Sequence, residues 1–370
     1  MFRSISRRDF TIGSAFGLGA TLLPRHVSGQ SLAGPGQTPT VDALSIKVVM
    51  DSNHDIFIRA PTPAAVKVKR TPGVADYRKT LHNQWGLSLA VESKAGADTR
   101  RILVDFGYTP EALLANMDML GVDPAKFEAL VLSHGHFDHY GGLVGFLQKH
   151  RAVMRPDVTL YAGGEDNFCQ RHRRTGQPGH FSEFGVLDRR ELAASRVNVV
   201  MCEKPTLVGG HAFTSGRIRR TGMEKVLPNT VVEFGIKDGV GCNASHFTEQ
   251  ERAGNMKHDE HIHEHATCYN LKDRGLVVIT SCGHAGIVNT IRTAMEAAGA
   301  SKLHALVGGF HLAVAPDDYL KQSVAELKSF NPDVVIPMHC SGTNFIAEMQ
   351  RQMPDRLALS TTGSEFTLGA

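Results

Sequence analysis

The sequence has few cysteines, little net charge and no apolar run long enough to cross a membrane. Its six cysteines are widely spaced in 370 residues, which argues against a framework of disulfide bonds. The formal charge of +3 comes entirely from residues 1–29, where four arginines and one aspartate give +3, so the rest of the chain is neutral. A neutral chain lacks the basic surface that is typical of nucleic-acid binding. With 42% apolar residues, the chain can still bury a full core.

The first 29 residues have the pattern of an export signal. Residues 6–12 (SRRDFTI) form a twin-arginine pattern, and the small residues 27–29 offer a cleavage site. The apolar stretch between them is about 12 residues long, whereas a membrane span needs ~20. We therefore expect a cleaved signal peptide at 1–29, a linker at 30–43 and one large domain at 44–370. The export machinery would deliver a periplasmic protein that is not stably inserted in a membrane.

The most informative stretch is SHGHFDHYGG at residues 133–142. It follows an apolar run with the pattern of a short buried strand, and its paired glycines begin a turn into a helical stretch. Three imidazoles and one carboxylate lie within six residues, namely His134, His136, Asp138 and His139. This donor set suits zinc, with manganese or iron as alternatives. The stretch therefore predicts a site for one or two metal ions per chain.

Histidines also follow three later apolar stretches that have the pattern of buried strands. The stretches are residues 276–280, 304–307 and 334–337, which lead to His284, His311 and His339, respectively. In α/β proteins, ligand-binding residues usually lie at the carboxyl ends of such strands. We therefore expect these histidines to lie near the loop at residues 133–142.

Two charged clusters allow two interpretations each. The run 258–265 is rich in histidine, so that His263 or His265 could be a further metal ligand, but a solvated loop is favoured. Residues 171–174 (RHRR) could hold an anionic group of a substrate, although a solvated face is again favoured.

SHGHFDHYGG resembles the signature of the metallo-β-lactamase superfamily. Other motifs resemble a subgroup that includes the dihydropterin ribofuranosyl-aminobenzene-phosphate synthase-like proteins and the hydrolytic dehalogenase of chlorothalonil. These motifs are HNQWGLS (82–88), ILVDFG (102–107), LVVITSCGHAGIVN (276–289), GGFHL (308–312) and PMHCSG (337–342). The resemblance spans residues 44–364 and implies an α/β fold, an αββα sandwich of two mixed sheets flanked by helices.

The resemblance also implies a set of site residues. The implied metal ligands are His134, His136, Asp138, His139, His284, His339 and, by position in the dehalogenase branch, Asn243. For Asn243, a role as a turn residue is an equal alternative. Asp105 would support the metal loop or a ligand histidine. His134, His136 and His311 would act in catalysis by moving protons. Cys282 stands where the superfamily usually has a metal-bridging aspartate, which favours one zinc bound by Asp138, His139, Asn243 and His284 over a binuclear site.

The implied function is that of an exported zinc-dependent hydrolase, in which the metal activates water as hydroxide. Its substrate would be a small molecule, such as a chlorinated aromatic compound that loses chloride on hydrolysis. One alternative is a binuclear hydrolase of an ester, a lactone or a phosphate-containing small molecule. Another is a metal-dependent redox or binding protein on the same fold. No nucleic-acid partner is expected, and monomer and homodimer both stay open.

Overall fold

The computed structural model describes residues 28–32, 34, 36–70, 76–253 and 256–369. The twin-arginine pattern lies outside these described residues. The strands are Thr40–Val41 (β1), Ala43–Met50 (β2), Lys67–Lys69 (β3), Ser88–Ala95 (β4), Asp98–Val104 (β5), Ala129–Leu132 (β6), Thr159–Ala162 (β7), Gln170–Arg174 (β8), Phe181–Gly185 (β9), Asn198–Met201 (β10), Leu207–Val208 (β11), Ala212–Thr214 (β12), Val231–Glu233 (β13), Gly235–Lys237 (β14), Val240–Cys242 (β15), Met256–His258 (β16), Thr267–Leu271 (β17), Gly275–Thr280 (β18), Leu303–Gly309 (β19), Val334–Met338 (β20) and Glu365–Gly369 (β21). The helices are Pro110–Met119 (α1), Phe137–Tyr140 (α2), Leu143–His150 (α3), Arg189–Ala194 (α4), Ile287–Ala298 (α5), Asp317–Ser329 (α6) and Thr343–Gln352 (α7).

Two mixed sheets form the centre of the domain. The first has the strand order β10-β7-β6-β5-β4-β2-β21-β3, and the second has the order β11-β12-β17-β18-β19-β20. Strand β1 pairs in parallel with β17, although the sequence places residues 40 and 41 in the linker. Both sheets contain parallel and antiparallel pairs, for example β5 with β6 and β4 with β5 in the first sheet.

The two sheets pack face to face over an apolar core. Alternate residues of β2, such as Ile46 and Val48, point into this core, and Val277 and Ile336 enter it from the second sheet. Helices α1 and α3 cover the outer face of the first sheet, while α5, α6 and α7 cover the second. The predicted αββα sandwich is confirmed, because each sheet buries one face against the other sheet and one against helices.

The parallel strands bring their carboxyl ends to one edge of the sandwich. Strands β18, β19 and β20 are parallel neighbours in the second sheet, and β5, β6 and β7 are parallel neighbours in the first. The loops that follow β5, β6, β18, β19 and β20 contain the predicted site residues other than Asn243. The fold therefore gathers residues that are distant in sequence.

Smaller sheets lie beside this edge, in the part of the chain where the sequence pattern is weakest. Strands β16, β13, β8 and β9 form a four-stranded sheet, and β14 pairs with β15. A helix long and apolar enough to cross a membrane is absent from the described residues.

The cysteines form one disulfide rather than a framework of several. Cys169 and Cys242 form a disulfide, although they are 73 residues apart in sequence. The other four cysteines are free and buried, namely Cys202, Cys268, Cys282 and Cys340.

Candidate metal centre

The metal loop follows β6 and is held in place by the carboxylate of Asp105. Oδ1 of Asp105 accepts a hydrogen bond from the Ser133 backbone N–H at 2.8 Å, and Oδ2 accepts one from Ser133 Oγ at 2.7 Å. His139 Nδ1 also donates to Asp105 Oδ2 at 2.7 Å. The loop then turns closely past the β5 loop, where a Cβ on Gly142 would lie 2.2 Å from the Phe106 carbonyl oxygen. Asp105 thus positions both the loop backbone and one imidazole.

These hydrogen bonds decide which ring nitrogens are free to bind a metal. Ser133 Oγ donates to Asp105, so its lone pair accepts from His134 Nδ1 at 2.9 Å. With its proton on Nδ1, His134 presents Nε2 as an acceptor, and the same anchoring of Nδ1 directs His139 Nε2 towards Asp138 and Cys282. A fixed Nδ1–H with a free Nε2 is the arrangement found in metal-binding histidines.

Four imidazoles form the first cluster, which we call the histidine cluster: His134, His136, His261 and His284. The rings of His261 and His284 stack with centroids 3.8 Å apart, and the His134 ring is 4.9 Å from that of His284. Nitrogens of His136, His261 and His284 lie within 4.8 Å of one another. All four residues are buried.

The second cluster, the aspartate cluster, consists of Asp138, His139 and His339. Oδ2 of Asp138 is 3.3 Å from His339 Nε2 and 3.8 Å from His139 Nε2. The His339 backbone N–H donates to Asp51 Oδ1 at 2.7 Å, and its Nδ1 contacts Ser52 Oγ at 3.0 Å. His339 therefore presents Nε2 towards Asp138.

The two clusters contain buried polar atoms that find no hydrogen-bond partner among the described residues. These atoms are His134 Nε2, Asp138 Oδ1, His339 Nε2 and both ring nitrogens of His261 and His284. Each such atom costs about 1–3 kcal/mol if nothing satisfies it. Imidazole nitrogens and carboxylate oxygens are ligands of zinc and similar ions. The residues therefore fit a metal centre.

The electrostatics of the clusters agree with this fit. Burial, reinforced by neighbouring imidazoles, lowers the pKa of His134 and His284, so both rings are neutral and can donate a lone pair. Burial would raise the pKa of Asp138, but His139 and His339 lower that pKa well below its usual range. Asp138 is therefore an anion, as a metal ligand must be. Burial would lower the pKa of His139, but Asp138 and Asp105 raise it to about 9, so a metal ion at Nε2 would displace a proton.

The structure adds residues that the sequence analysis missed. Asp259 is buried, and its Oδ2 accepts from Arg171 Nε at 2.6 Å and from Thr230 Oγ1 at 3.0 Å. The same oxygen is 3.6 Å from both His136 Nε2 and His261 Nε2. Asp259 therefore joins a fully buried arginine to the histidine cluster.

The histidine-rich run is buried, so the favoured interpretation as a solvated loop is wrong. His261 is the member that enters the histidine cluster. The two alternatives taken from the sequence are engaged elsewhere: His263 Nδ1 accepts from the Asp166 N–H, and His265 Nε2 donates to the Leu132 carbonyl. The H-x-H-x-H spacing offered several histidines as metal ligands and did not distinguish between them. His261 is selected by a left-handed backbone, with φ of 45°, and no residue pattern in the sequence predicts this conformation.

Asn243 does not reach either cluster. Its side chain is exposed and accepts a hydrogen bond from the Ser245 N–H at 3.1 Å, as the cap of a short helical turn. An amide oxygen in this position is already used in the cap, and Asn243 does not line the cavity that His136 and His284 border. The position of Asn243 contradicts its assignment as a metal ligand, and with it the mononuclear set that contained it.

His311 lies beside the histidine cluster rather than within it. Its ring centroid is 4.2 Å from that of His284, and its Nε2 is 3.4 Å from the Pro228 carbonyl oxygen. His311 and His136 both line a cavity of about 600 Å³ that opens above the two clusters. The predicted proton-transfer residues therefore border one open space, except His134, which lies below it.

Aromatic and basic side chains form the mouth of this cavity. Trp85, Tyr108 and Phe184 line it together with Arg173 and Arg174. The Arg173 guanidinium lies 4.1 Å from the centroid of the Phe184 ring and donates to Tyr108 Oη at 3.2 Å. Within the basic run at residues 171–174, Arg171 is therefore buried, whereas Arg173 and Arg174 lie at the mouth of the cavity.

Known proteins share parts of this sequence and this fold. Residues 88–227 match the sequence model of the Metallo-beta-lactamase superfamily. A solved structure described as a metal-dependent hydrolase of the beta-lactamase superfamily has a similar fold, with a TM-score of 0.62 at 20% identity over 87% of this chain and 98% of that one. The chain therefore contains a metallo-β-lactamase superfamily domain, matched over residues 88–227, and the predicted superfamily is confirmed.

Two curated archaeal proteins from Methanocaldococcus jannaschii are similar over most of their length. One is 7,8-dihydropterin-6-methyl-4-(beta-D-ribofuranosyl)-aminobenzene-5'-phosphate synthase, 24% identical over 274 residues, which cover 72% of this chain and 84% of the synthase. The other is uncharacterized, 25% identical over 274 residues, which cover 74% of this chain and 90% of that protein. The likeness to the synthase branch is thereby confirmed.

Proposed function

We propose that this protein is a metal-dependent hydrolase of a small anionic ester that carries an aromatic ring. The observation that carries the proposal is the set of buried, unpartnered metal-binding atoms below an open cavity. Zinc is the metal that best fits this mixture of imidazoles and carboxylate, with manganese or iron as alternatives.

The residues present would hold the metal in two places. His134, His136, His261 and His284 would bind one ion, and the three residues of the aspartate cluster would bind another. When bound, such ions lower the pKa of water and polarise the bond to be cleaved. The presence of two ligand sets supports the binuclear alternative over the single zinc.

Proton transfer and the orientation of the ligand rings depend on residues in and below the cavity wall. His311 can transfer a proton between the substrate and solvent, because it borders the cavity and lies outside both clusters. His136 Nε2 is 2.8 Å from Thr230 Oγ1, which fixes the orientation of its ring. Asp259 accepts a hydrogen bond from Thr230 Oγ1 and is itself held by Arg171, so the His136–Thr230 contact is fixed in place.

The mouth of the cavity supports an anionic substrate. Guanidinium groups bind phosphate and carboxylate in two-pronged hydrogen bonds, and Arg174 is exposed at the mouth. The name of the archaeal synthase includes an aminobenzene ring and a 5'-phosphate, which agrees with one aromatic and one anionic contact. A phosphate-containing ester is therefore the first substrate to test.

Hydrolytic dehalogenation of a chlorinated aromatic compound is the second candidate. The three aromatic side chains at the mouth, Trp85, Tyr108 and Phe184, favour a flat ring as ligand. This candidate needs no anionic group, so the two arginines would be dispensable for it.

The test compares four substrates with leader-free protein of measured metal content. The substrates are an aryl phosphodiester, an aryl carboxylate ester, a lactone and a chlorinated aromatic nitrile. We expect the phosphodiester to be cleaved fastest, whereas chloride release from the nitrile would favour the second candidate. Turnover that persists after complete removal of metal would refute both.

We also propose that the protein is exported to the periplasm through the twin-arginine machinery. Residues 6–12 support this proposal, and so does the Cys169–Cys242 disulfide, since disulfides persist mainly in oxidising compartments. Cell fractionation tests it: changing Arg7 and Arg8 to lysine should retain the protein in the cytoplasm, and unchanged export would refute the proposal.

A further inference from the structure

Two free cysteines lie side by side at the floor of the cavity. The Sγ atoms of Cys282 and Cys340 are 3.3 Å apart, and both residues are buried. His311 offers a ring nitrogen within 4.8 Å of both sulfurs. All three side chains border the same cavity as the two metal clusters.

Three neighbouring parallel strands deliver this triad. Cys282 follows β18, His311 follows β19 and Cys340 follows β20, so each residue comes from the loop after its strand. The His311 backbone N–H donates to Cys340 Sγ at 3.2 Å. His311 has a left-handed backbone, with φ of 47°, which costs on the order of 1 kcal/mol for a residue other than glycine. The hydrogen bond from the His311 N–H to Cys340 Sγ is therefore formed by a backbone conformation that is itself unfavourable.

The donor set matches a known kind of metal site. Two thiolates and one imidazole are a zinc ligand set that leaves a fourth position open. Two sulfurs bound to one tetrahedral zinc at ~2.3 Å each lie about 3.8 Å apart. The observed 3.3 Å is about half an ångström shorter, which a change in side-chain rotation can supply. The open position would face the cavity, because all three residues line it.

We propose that Cys282, Cys340 and His311 form a thiolate metal site that binds zinc or a softer divalent cation such as cadmium. This site differs from the two clusters in having two sulfur ligands. An ion bound there would take a ring nitrogen of His311 as a ligand, so His311 transfers protons only when this site is empty. It is not isolated from them, because Cys282 Sγ also contacts His139 Nε2 at 3.2 Å. Cys282 sulfur therefore lies where all three ligand sets meet.

Cobalt substitution tests the proposal without measuring turnover. The full leader-free chain, kept reduced with a phosphine, is freed of metal and titrated with Co²⁺, and the near-ultraviolet sulfur-to-cobalt charge-transfer band is recorded. We expect the band in wild type and in the control Cys268→Ala, which alters another buried free cysteine. Cys282→Ala and Cys340→Ala should each lose about half of its intensity or more, since each removes one of two sulfurs.

Two results would overturn the proposal. A band of full intensity in Cys340→Ala would show that Cys340 is not a ligand, and cobalt that binds wild type without any band would exclude sulfur ligation altogether. X-ray absorption of the zinc-loaded wild type gives an independent count if a variant fails to fold: sulfur neighbours of zinc are expected, and their absence refutes the site. Neither readout depends on whether the proposed ester hydrolysis occurs.

Discussion

The change Asp105→Asn should weaken both metal clusters at once. Asp105 Oδ2 accepts from His139 Nδ1 and from Ser133 Oγ, and Ser133 Oγ in turn accepts from His134 Nδ1. An asparagine has one accepting oxygen and one donating NH₂ group. Whichever way it turns, at least one of the present donors then faces a donor. If the NH₂ group takes the position of Oδ2, the proton of His139, and through Ser133 that of His134, is driven to Nε2, where it blocks metal binding. If the oxygen takes that position, the Ser133 backbone N–H loses its acceptor, and the loop that carries both histidines loses an anchor.

The size of the effect follows from the loss of the contacts that orient the two histidines. Loss of a residue that orients a ligand histidine typically reduces metal affinity about 10- to 100-fold, and this corresponds to about 1.4–2.7 kcal/mol. The unpaired buried donors should lower the free energy of unfolding by about 1–3 kcal/mol. Asparagine adopts the left-handed backbone that Asp105 has, with φ of 56°, so the chain path is preserved.

The assay is a competition titration of zinc with a chromophoric chelator, accompanied by thermal unfolding. Ser133→Ala serves as a matched comparison, because it removes the partner of His134 but leaves the His139–Asp105 contact. It should weaken one equivalent of zinc, whereas Asp105→Asn should weaken two. Asp98→Asn, an exposed aspartate paired with Arg100, should change neither. Affinity within threefold of wild type for Asp105→Asn would refute the reasoning.

Three further predictions follow from the geometry. His284→Ala should remove about one metal equivalent per chain and lower turnover at least 100-fold, as measured by elemental analysis and initial rates; full metal content would contradict the ligand set. Changing Arg173 and Arg174 to glutamine should raise KM for the anionic substrate about tenfold and leave a neutral ester unaffected, while Arg274→Gln, far from the mouth, should change neither value. Burial raises the pKa of Glu224 to about 7, so its contribution to stability is complete below about pH 4.5 and is lost as pH rises through about 7. Glu224→Gln should remove this loss of about 3 kcal/mol, and a stability profile over pH 4–8 that is unchanged by the substitution would contradict it.

The metal loop was predictable because its ligands are local. His134, His136, Asp138 and His139 lie in one short run after a strand, so their proximity needs no tertiary information. His284 and His339 were predictable for a different reason, since parallel strands end at one edge of a sheet. The structure brings these six residues together, and the sandwich itself follows from the same alternation of strands and helices.

Residues outside such patterns could not be placed from sequence. His261 was hidden among several histidines, and the turn that selects it depends on tertiary contacts. The Cys169–Cys242 pair is joined across 73 residues, which no local signal reports. In β8, the pairing register shifts between Arg171 and His172, so simple alternation fails to show that Arg171 is buried while Arg173 is exposed.

Because of that shift in β8, one strand presents a buried anchoring arginine and an exposed arginine at the cavity mouth. Arg171 anchors the strand below the histidine cluster through Asp259, and two residues later Arg173 reaches the mouth of the cavity. Because the β8–β9 hairpin belongs to a small sheet outside the central sandwich, its tip can vary in sequence and length without disturbing the metal ligands. A different substrate could therefore be accommodated by exchanging the part of this hairpin beyond Arg171, while the residues of the two clusters stay as they are.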